Sequence, residues 1–275
     1  MKICVSGIGI WTRGFHDWPE FLRLAANGFS EVRAEAVAPA PPALPPRERR
    51  RAPLPVRLAV EVAHQACEMA GVDKTDIASV FTSAMGDTDI TEYMCRALAA
   101  PVKMLSPTRF HNSVHNAPSG YWSISAGNRA PSSYAGSFHR TVPVALLEAA
   151  TLCEAENRPV LLVVYDIANG PPFHDICPIA ESFAAALVLD PDCGNTAGGS
   201  LELAVGAGSA SSPEPQNLVL AGLAATNPAA RCLPLLEALA AERPAELRWP
   251  LGTSVHLAAT VNDSKIHQPC ATMMS

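Results

Sequence analysis

Apolar residues along the chain form runs that predict alternating strands and helices. The clearest buried strands are Pro159–Tyr165 and Phe183–Asp190, which are almost continuously apolar. Apolar residues recur at helical spacing from Val56 to Ala70, before Gly71, and fill Val142–Glu156. The other predicted strands lie at 1–10, Ile77–Ser83, Ser132–Ser137, Leu201–Val205 and Thr253–Val261, and the other helices after Asp17 to about Ala26, at Ile90–Ala99, His111–Ala126 and Leu233–Ala241. This alternation predicts an α/β fold with a largely buried sheet.

Glycine and proline predict where these elements are interrupted. Gly7-Ile8-Gly9 predicts a tight turn after the first strand. Residues 38–55 hold seven prolines, which predicts an extended loop. The helix over His111–Ala126 is expected to break near Pro118. We expect a single domain over residues 1–262, with the proline-rich loop inserted, followed by a flexible tail at 263–275.

Composition and charge narrow the class of protein. The chain is 48% hydrophobic and only 17% charged, which excludes a disordered protein. A net charge of −6 argues against a nucleic-acid partner. There is no apolar run long enough to span a membrane and no secretion signal, so a cytoplasmic protein is expected. The basic run Arg47–Arg51 is either a solvated loop or a docking patch for an acidic partner, such as a carrier protein.

The cysteines and histidines do not form a recognisable cofactor or metal site. The eight cysteines are scattered without a CxxC pair, so reduced and mostly buried thiols are expected. His111 and His115 are four residues apart, which predicts one helical face, but Asn112 stands where a metalloprotease needs glutamate. The dinucleotide-binding pattern G-x-G-x-x-G is also incomplete, because Thr12 stands where its third glycine would be. We therefore expect no cofactor and no metal, with the two histidines hydrogen-bonded at a helix end or interface.

Several segments resemble the β-ketoacyl synthases. Val5–Trp11 is similar to their opening strand, and Met85-Gly86-Asp87 to the turn after their second strand. The segment His111–Ile124 resembles their "N…N…AGHxSI" helix, and Ala130–Ser133 their "GPS" sequence before the nucleophile. The most similar group is the short, ketosynthase-like chain-length-factor family of aryl polyene and dialkylresorcinol pathways. This resemblance implies a thiolase-like half with a βαβαβαββ layered order, similar to the N-terminal half of ketosynthases.

The resemblance also implies that the catalytic nucleophile is missing. Active synthases continue from the "GPS" strand as V-D-T-A-C-S-S-S-L-V-A-L, with the cysteine at a helix N-terminus, where the helix dipole favours the thiolate. An alignment without gaps from Pro131 to Leu146 places His139 at the cysteine position. The two active-site histidines of synthases belong to a C-terminal half that these 275 residues do not contain. The expected protein is a non-catalytic subunit.

As such a subunit, the chain is expected to pair with a full-length β-ketoacyl synthase, as a heterodimer or heterotetramer, and to meet an acyl carrier protein only indirectly. The residues expected at the partner interface or the acyl tunnel are His111, Asn112, His115, Asn116, Tyr121, Trp122, Tyr134, Ser137 and Phe138. The aromatic side chains among them either limit the length of the acyl chain or only pack the interface. Two alternatives stay open: a diverged acyltransferase or hydrolase using Ser137 or His139, and a stand-alone acyl-binding module.

Overall fold

The computed structural model describes residues 1–31, 37–193 and 199–262. Its centre is a mixed sheet with the strand order β3-β2-β4-β5-β1-β6-β8-β7. The strands are β1 Lys2–Thr12, β2 Ala78–Thr82, β3 Ser132–Ala135, β4 Val160–Asp166, β5 Phe183–Asp190, β6 Ser200–Ala207, β7 Ala245–Pro250 and β8 Val255–Asn262. Strands β3, β2 and β4 pair in parallel, and every other pairing is antiparallel.

Helices cover both faces of this sheet. They are α1 Trp18–Ala26, α2 Pro46–Arg51, α3 Leu54–Ala70, α4 Thr88–Ala99, α5 Pro107–His111, α6 Ala117–Ala126, α7 Thr141–Glu156, α8 Leu218–Thr226 and α9 Leu233–Ala240. Alternate residues of the strands face opposite layers. Leu162 and Val164 of β4 pack with α1, α7, α8 and α9, whereas Leu161 and Val163 pack with α3 and Trp122 of α6. From β1 to β5 the order is βαβαβαββ, which confirms the predicted fold class.

The turn predicted at Gly7-Ile8-Gly9 is wrong, because β1 continues through both glycines. A Cβ on Gly7 would overlap the carbonyl oxygen of Ala66, and a Cβ on Gly9 that of Val62. Both carbonyls belong to α3, which crosses β1 at these positions. The glycines therefore allow a close helix–strand contact, a role that local sequence does not distinguish from a turn.

The proline-rich segment is more regular than expected. Residues 38–55 contain the helix α2 and the first residues of α3. Pro46 occupies the first turn of α2 and Pro55 that of α3, where the missing N–H breaks no helical hydrogen bond. The prolines thus begin helices here, and the prediction of an extended loop across the whole segment is wrong.

The single helix expected over His111–Ala126 is two separate elements. Helix α5 ends at His111 and α6 begins at Ala117, so the chain turns at 112–116, before Pro118 rather than at it. His111 and His115 therefore do not share a helical face, contrary to the sequence prediction. Pro118 lies in the first turn of α6, a position that tolerates proline.

Two cysteines depart from the expectation of reduced thiols. Cys4 on β1 and Cys193 after β5 form a disulfide, with their Cα atoms 5.4 Å apart. The antiparallel pairing of β1 with β5 brings this part of the chain together, since Cys4 lies opposite Asp190. The pairing depends on strand register and was not visible in the spacing of the cysteines.

Helix α8 and strand β7 had no predicted counterpart, whereas the other predicted strands and helices are present with shifts of a few residues at their ends. The expected flexible tail at 263–275 lies outside the described residues. Within residues 1–31, 37–193 and 199–262, no helix is both long and apolar enough to cross a membrane.

Candidate functional site

The position aligned with the synthase nucleophile lies in a tight turn between β3 and α7. After Gly136 and Ser137, a single 3₁₀ turn over Phe138–Arg140 leads into α7. The Ser137 N–H donates to Thr141 Oγ1 over 3.1 Å, and Thr141 Oγ1 donates to the Phe138 carbonyl over 2.6 Å. Phe138 has a φ of 50°, in the left-handed region. The turn therefore places Phe138–Arg140 directly before the N-terminus of α7.

His139 occupies this turn without a catalytic partner. Its side chain is exposed, and its ring centroid lies 4.1 Å from that of Phe138. Burial of part of the ring and the nearby Arg231 guanidinium lower the pKa of His139, so the imidazole is neutral at neutral pH. Arg231 Nη1 also donates to the His139 carbonyl over 3.0 Å, which fixes the backbone. In the described part of the chain, no carboxylate hydrogen-bonds the imidazole to orient it as a base.

Ser137 is equally poor as a nucleophile. Its hydroxyl has no hydrogen-bonding histidine, lysine or carboxylate among residues 1–31, 37–193 and 199–262, and a serine nucleophile needs such a base. The His139 imidazole, two residues further on, packs on Phe138. The turn therefore presents two polar side chains without the constellation that acyl transfer or hydrolysis requires.

The free thiols of the described residues are either buried or distant in sequence from the turn at His139. Cys67 and Cys153 are buried, and burial raises the pKa of each thiol to about 12. Burial also raises the pKa of Cys177 and Cys232. Cys95 is exposed, but it belongs to helix α4 rather than to the turn.

Beneath the ends of the parallel strands lies a buried carboxylate. Asp166, at the end of β4, has no exposed surface and accepts hydrogen bonds from Ser83 Oγ at 2.6 Å and from the Ala84 and Ala229 N–H groups at 2.9 and 3.1 Å. Burial raises the pKa of Asp166 to about 6, although these hydrogen bonds favour the ionised form. The carboxylate therefore joins the loop after β2 to the 3₁₀ turn Ala229–Cys232, which carries Arg231. Arg231 in turn donates to the His139 carbonyl.

Three residues expected at the interface lie inside the chain. Trp122 has no exposed surface and packs edge to face on the His64 ring at 4.9 Å. Tyr121 is buried and donates to Asn112 Oδ1 over 3.2 Å, while Asn112 Nδ2 donates to the Arg51 carbonyl over 3.1 Å. These side chains hold the segment 111–122 against α2 and α3, behind the surface that a partner would meet.

The remaining predicted site residues reach the surface. They are His111, His115, Asn116, Ser137, Phe138 and His139, which are exposed or half-buried. The half-buried Tyr134 on β3 joins the two segments: its ring lies 5.2 Å from that of His115, and its hydroxyl donates to the Ser83 carbonyl over 3.0 Å. The loop 112–116 and the turn after β3 therefore form one surface.

Sequence reasoning missed an apolar extension of this surface. From the last turn of α4 to the residues before α6, six large apolar side chains are exposed, with exposed fractions of 76% for Met104, 72% for Val102 and 60% for Phe110. The others are Leu98, Leu105 and Val114. We call residues 98–114 the apolar segment. Its apolar residues follow neither a helical nor a strand period, so a periodicity search does not single them out.

Strand β3 forms the edge of the sheet next to this surface. Among the described strands it pairs only with β2, from Ser132 opposite Ser79 to Ala135 opposite Thr82. An edge strand presents unpaired N–H and C=O groups that can bind another strand. The candidate site therefore consists of an open strand edge, the turn at His139 and the apolar segment.

The sequence pattern of the β-ketoacyl synthase N-terminal domain matches residues 24–256 of this chain. The fold and the site define the class of protein. It is similar to the N-terminal half of a synthase, with an edge strand that leads into a turn before a helix. The chain belongs to the β-ketoacyl synthase family. No curated protein sequence matches the chain significantly.

Solved structures share this fold at low identity. A chain of the ketosynthase ApeO in complex with its chain length factor ApeC from Xenorhabdus doucetiae is 20% identical, with a TM-score of 0.70 over 94% of this chain and 99% of that one. A chain of the ishigamide ketosynthase/chain length factor is 11% identical, with a TM-score of 0.68 over 95% and 99%. A ketosynthase from the bacillaene synthase of Bacillus amyloliquefaciens aligns over only 47% of its length, with a TM-score of 0.55 and 15% identity over 77% of this chain.

Proposed function

We propose that this chain is a non-catalytic, ketosynthase-like chain-length-factor subunit that pairs with an active β-ketoacyl synthase. The pair would elongate polyene or fatty-acid-type chains in the cytoplasm. The observation that carries the proposal is the turn at His139, where the residue aligned with the family's nucleophile is a histidine without an orienting carboxylate among the described residues. The partner synthase would supply the cysteine and histidines, and the carrier protein would deliver its acyl group to that subunit.

The exposed surface supports pairing. Six large apolar side chains are exposed within the apolar segment, and a large exposed apolar patch usually marks an interaction site. The apolar segment, Phe138 and the β3 edge together offer apolar burial and backbone hydrogen bonds to one partner. The assembly would be either this heterodimer or a heterotetramer made of two such pairs.

The similar solved chains support the identity of the partner. Two chains matched over 99% of their own length, and hence about as long as this chain, come from structures described as a ketosynthase with a chain length factor. The full ketosynthase matches over less than half its length. A chain of this size and fold is thus compatible with a subunit that complements a complete synthase, in aryl polyene synthesis or a related pathway.

Tyr134 and Phe138 are the side chains best placed to limit product length. Both lie at the strand end and turn that would face the partner, and Tyr134 is held by its hydrogen bond to the Ser83 carbonyl. A bulky ring in a tunnel stops growth because the next two-carbon unit finds no room. Replacing Phe138 with alanine should then lengthen the product without abolishing elongation.

The pairing is tested by co-expression with a full-length ketosynthase encoded beside this chain, followed by size-exclusion chromatography with light scattering. We expect a stable complex, which the variant Phe110→Glu weakens at least about tenfold, because a charge buried at an interface core is strongly unfavourable. Leu218→Glu is the matched control, since Leu218 is 87% exposed on α8 and outside the proposed interface.

Either of two results would contradict the proposal. The chain could stay a monomer beside the synthase, or Leu218→Glu could weaken the complex as much as Phe110→Glu. If the isolated chain then hydrolyses an acyl thioester and loses this activity on replacement of Ser137, the hydrolase alternative is correct. Saturable acyl binding without hydrolysis would support the acyl-binding module instead.

A further inference from the structure

Strand β7 is an open edge of the sheet. Among the described strands it pairs only with β8, from Ala245 opposite Val261 to Pro250 opposite His256. It lies at the opposite end of the strand order from β3, and so it is separate from the surface proposed to bind a ketosynthase. The open side of such a strand presents N–H and C=O groups that can bind another strand.

The turn after β7 shows which backbone groups face the open side. The Leu251 N–H donates to the Val255 carbonyl over 3.0 Å, so the backbone groups of Leu251 point towards β8. The register between β7 and β8 is unbroken, and the backbone groups of successive residues in a strand point to alternate sides. The N–H and C=O groups of Glu246 and Arg248 therefore face the open side.

The sequence of β7 is complementary to itself when the strand is turned around Leu247. In an antiparallel pair with Leu247 opposite Leu247 of a second copy, Glu246 of each copy lies opposite Arg248 of the other. Both charged side chains are exposed, with exposed fractions of 76% and 63%. The flanking residues Pro244 and Pro250 also lie opposite each other, and because proline has no N–H, neither leaves a donor without an acceptor.

Charge selects this register over its neighbours. The nearest registers that keep the same backbone groups on the open side are shifted by two residues, and they place Glu246 opposite Glu246 or Arg248 opposite Arg248. Like charges directly opposite each other destabilise a pair of strands, whereas opposite charges stabilise it. Within one chain the two side chains form only an exposed ion pair at 3.8 Å, which contributes little and can be exchanged. The charges and prolines that usually protect an edge strand thus permit one symmetric pairing here.

Leu247 would provide the apolar centre of this contact. It is half-buried and packs against the core, and together with Pro234 and Ala238 of α9 it lines a groove of about 320 Å³ beside β7. In the non-hydrogen-bonded pairs of an antiparallel ladder, the side chains approach most closely. Two Leu247 side chains at the two-fold axis would therefore cover each other and part of this groove.

We propose that the β7 edge is a self-association surface, at which two copies of this chain pair antiparallel about Leu247. The pairing is two-fold symmetric and uses both β7 edges, so it ends at a dimer. A contact between β7 and the β3 strand of another copy would instead continue without limit, and β3 has no charged residue to meet Glu246 or Arg248. The proposal does not depend on a ketosynthase partner, but with one bound the same contact joins two pairs into a heterotetramer.

The test is sedimentation velocity of the full chain over a range of concentrations, in the absence of any ketosynthase. The parent chain and all variants carry Phe110→Glu, which removes association through the apolar segment. We expect a monomer–dimer equilibrium with a dissociation constant on the order of 10–100 μM, because the paired strand is short and the buried area small. Glu246→Arg or Arg248→Glu should each weaken the dimer at least about tenfold, because each substitution places like charges opposite each other on both sides of Leu247.

Mixing the two single variants provides the control. An equimolar mixture of Glu246→Arg and Arg248→Glu restores opposite charges at both positions, so a heterodimer should form with an affinity within about threefold of the parent. The double variant E246R/R248E should also dimerise like the parent. These rescues show that the single variants are folded and have lost only the pairing. A parent that stays monomeric at about 1 mM, single variants that dimerise as well as the parent, or a mixture that stays monomeric would each overturn the proposal.

Discussion

At the scale of single residues, Gly9 shows how one missing side chain sets the distance between two elements. One residue further along β1, the Ile10 N–H donates to Gln65 Oε1 of α3 over 3.0 Å and so joins the strand to the helix. Such a contact links residues more than fifty positions apart. The local pattern Gly7-Ile8-Gly9 is equally typical of a turn, which is why the sequence prediction was wrong here.

Gly9→Ala should destabilise the fold strongly. The new Cβ would overlap the Val62 carbonyl, so α3 must move away from the sheet, at about 2–4 kcal/mol in the free energy of unfolding. Urea denaturation measures this difference. Gly120→Ala is the matched control, because its Cβ meets nothing within 4 Å and alanine is the better helix former, so the variant should gain about 0.5–1 kcal/mol. Equal stability of Gly9→Ala and wild type would contradict the close contact.

Asp166 should make the stability of the protein depend on pH. Its pKa in the folded state, about 6, lies above the ordinary value of 3.8, so the folded chain holds this proton more tightly than the unfolded chain. The free energy of unfolding should therefore fall by about 3 kcal/mol between about pH 4 and about pH 7 because of this group. Asp166→Asn, which does not titrate, should lack this part of the fall. Parallel pH profiles of the two proteins in urea denaturation would show that Asp166 ionises normally.

At the scale of elements, apolar periodicity predicted those strands and helices that bury one or both faces in the core. Strands β4 and β5 and the helices α3 and α7 are of this kind, and they differ from prediction only at their ends. Helix α8 is apolar all round, so its sequence Leu218–Thr226 has no helical period to detect. Its exposed leucine, Leu218, is consistent with an element that its neighbours cover on one side only.

The candidate site could be predicted in part. The resemblance in residues 111–138 indicated two segments, and the structure brings them together through Tyr134 and His115. It could not show that Tyr121 and Trp122 point inward, because both a buried and an interfacial aromatic residue satisfy the same pattern. The apolar segment was missed because its apolar residues are exposed and do not follow the period of a buried strand or helix.

The apolar segment should become protected when the partner binds. Amide hydrogen exchange in residues 98–114 should slow by at least about tenfold in the complex, because burial removes the openings through which these amides exchange. Helix α8 provides the internal control and should exchange at the same rate in both states. Protection confined to α8, with unchanged exchange in residues 98–114, would show that the partner binds at α8 and would contradict the proposed interface.

At the scale of the whole molecule, the sheet gives this chain a core of its own, and in the described part of the chain β3 and β7 are its two edge strands. Strands β6, β8 and β7 extend the sheet beyond β1, while β3 ends it on the other side, next to the turn at His139. The order of these strands and the Cys4–Cys193 disulfide depend on pairings distant in sequence. Periodicity alone does not specify such pairings, whereas the family resemblance predicted the βαβαβαββ part.

We propose that this chain assists an active synthase without performing chemistry itself. The most direct measurement is chain elongation by the co-purified pair, with His139→Ala in this chain compared with an alanine variant of the nucleophilic cysteine in the synthase. We expect elongation within about twofold of wild type for His139→Ala and none for the synthase variant, because removal of a nucleophile eliminates the covalent route. Elongation that is lost in His139→Ala while the pair still assembles would contradict the account.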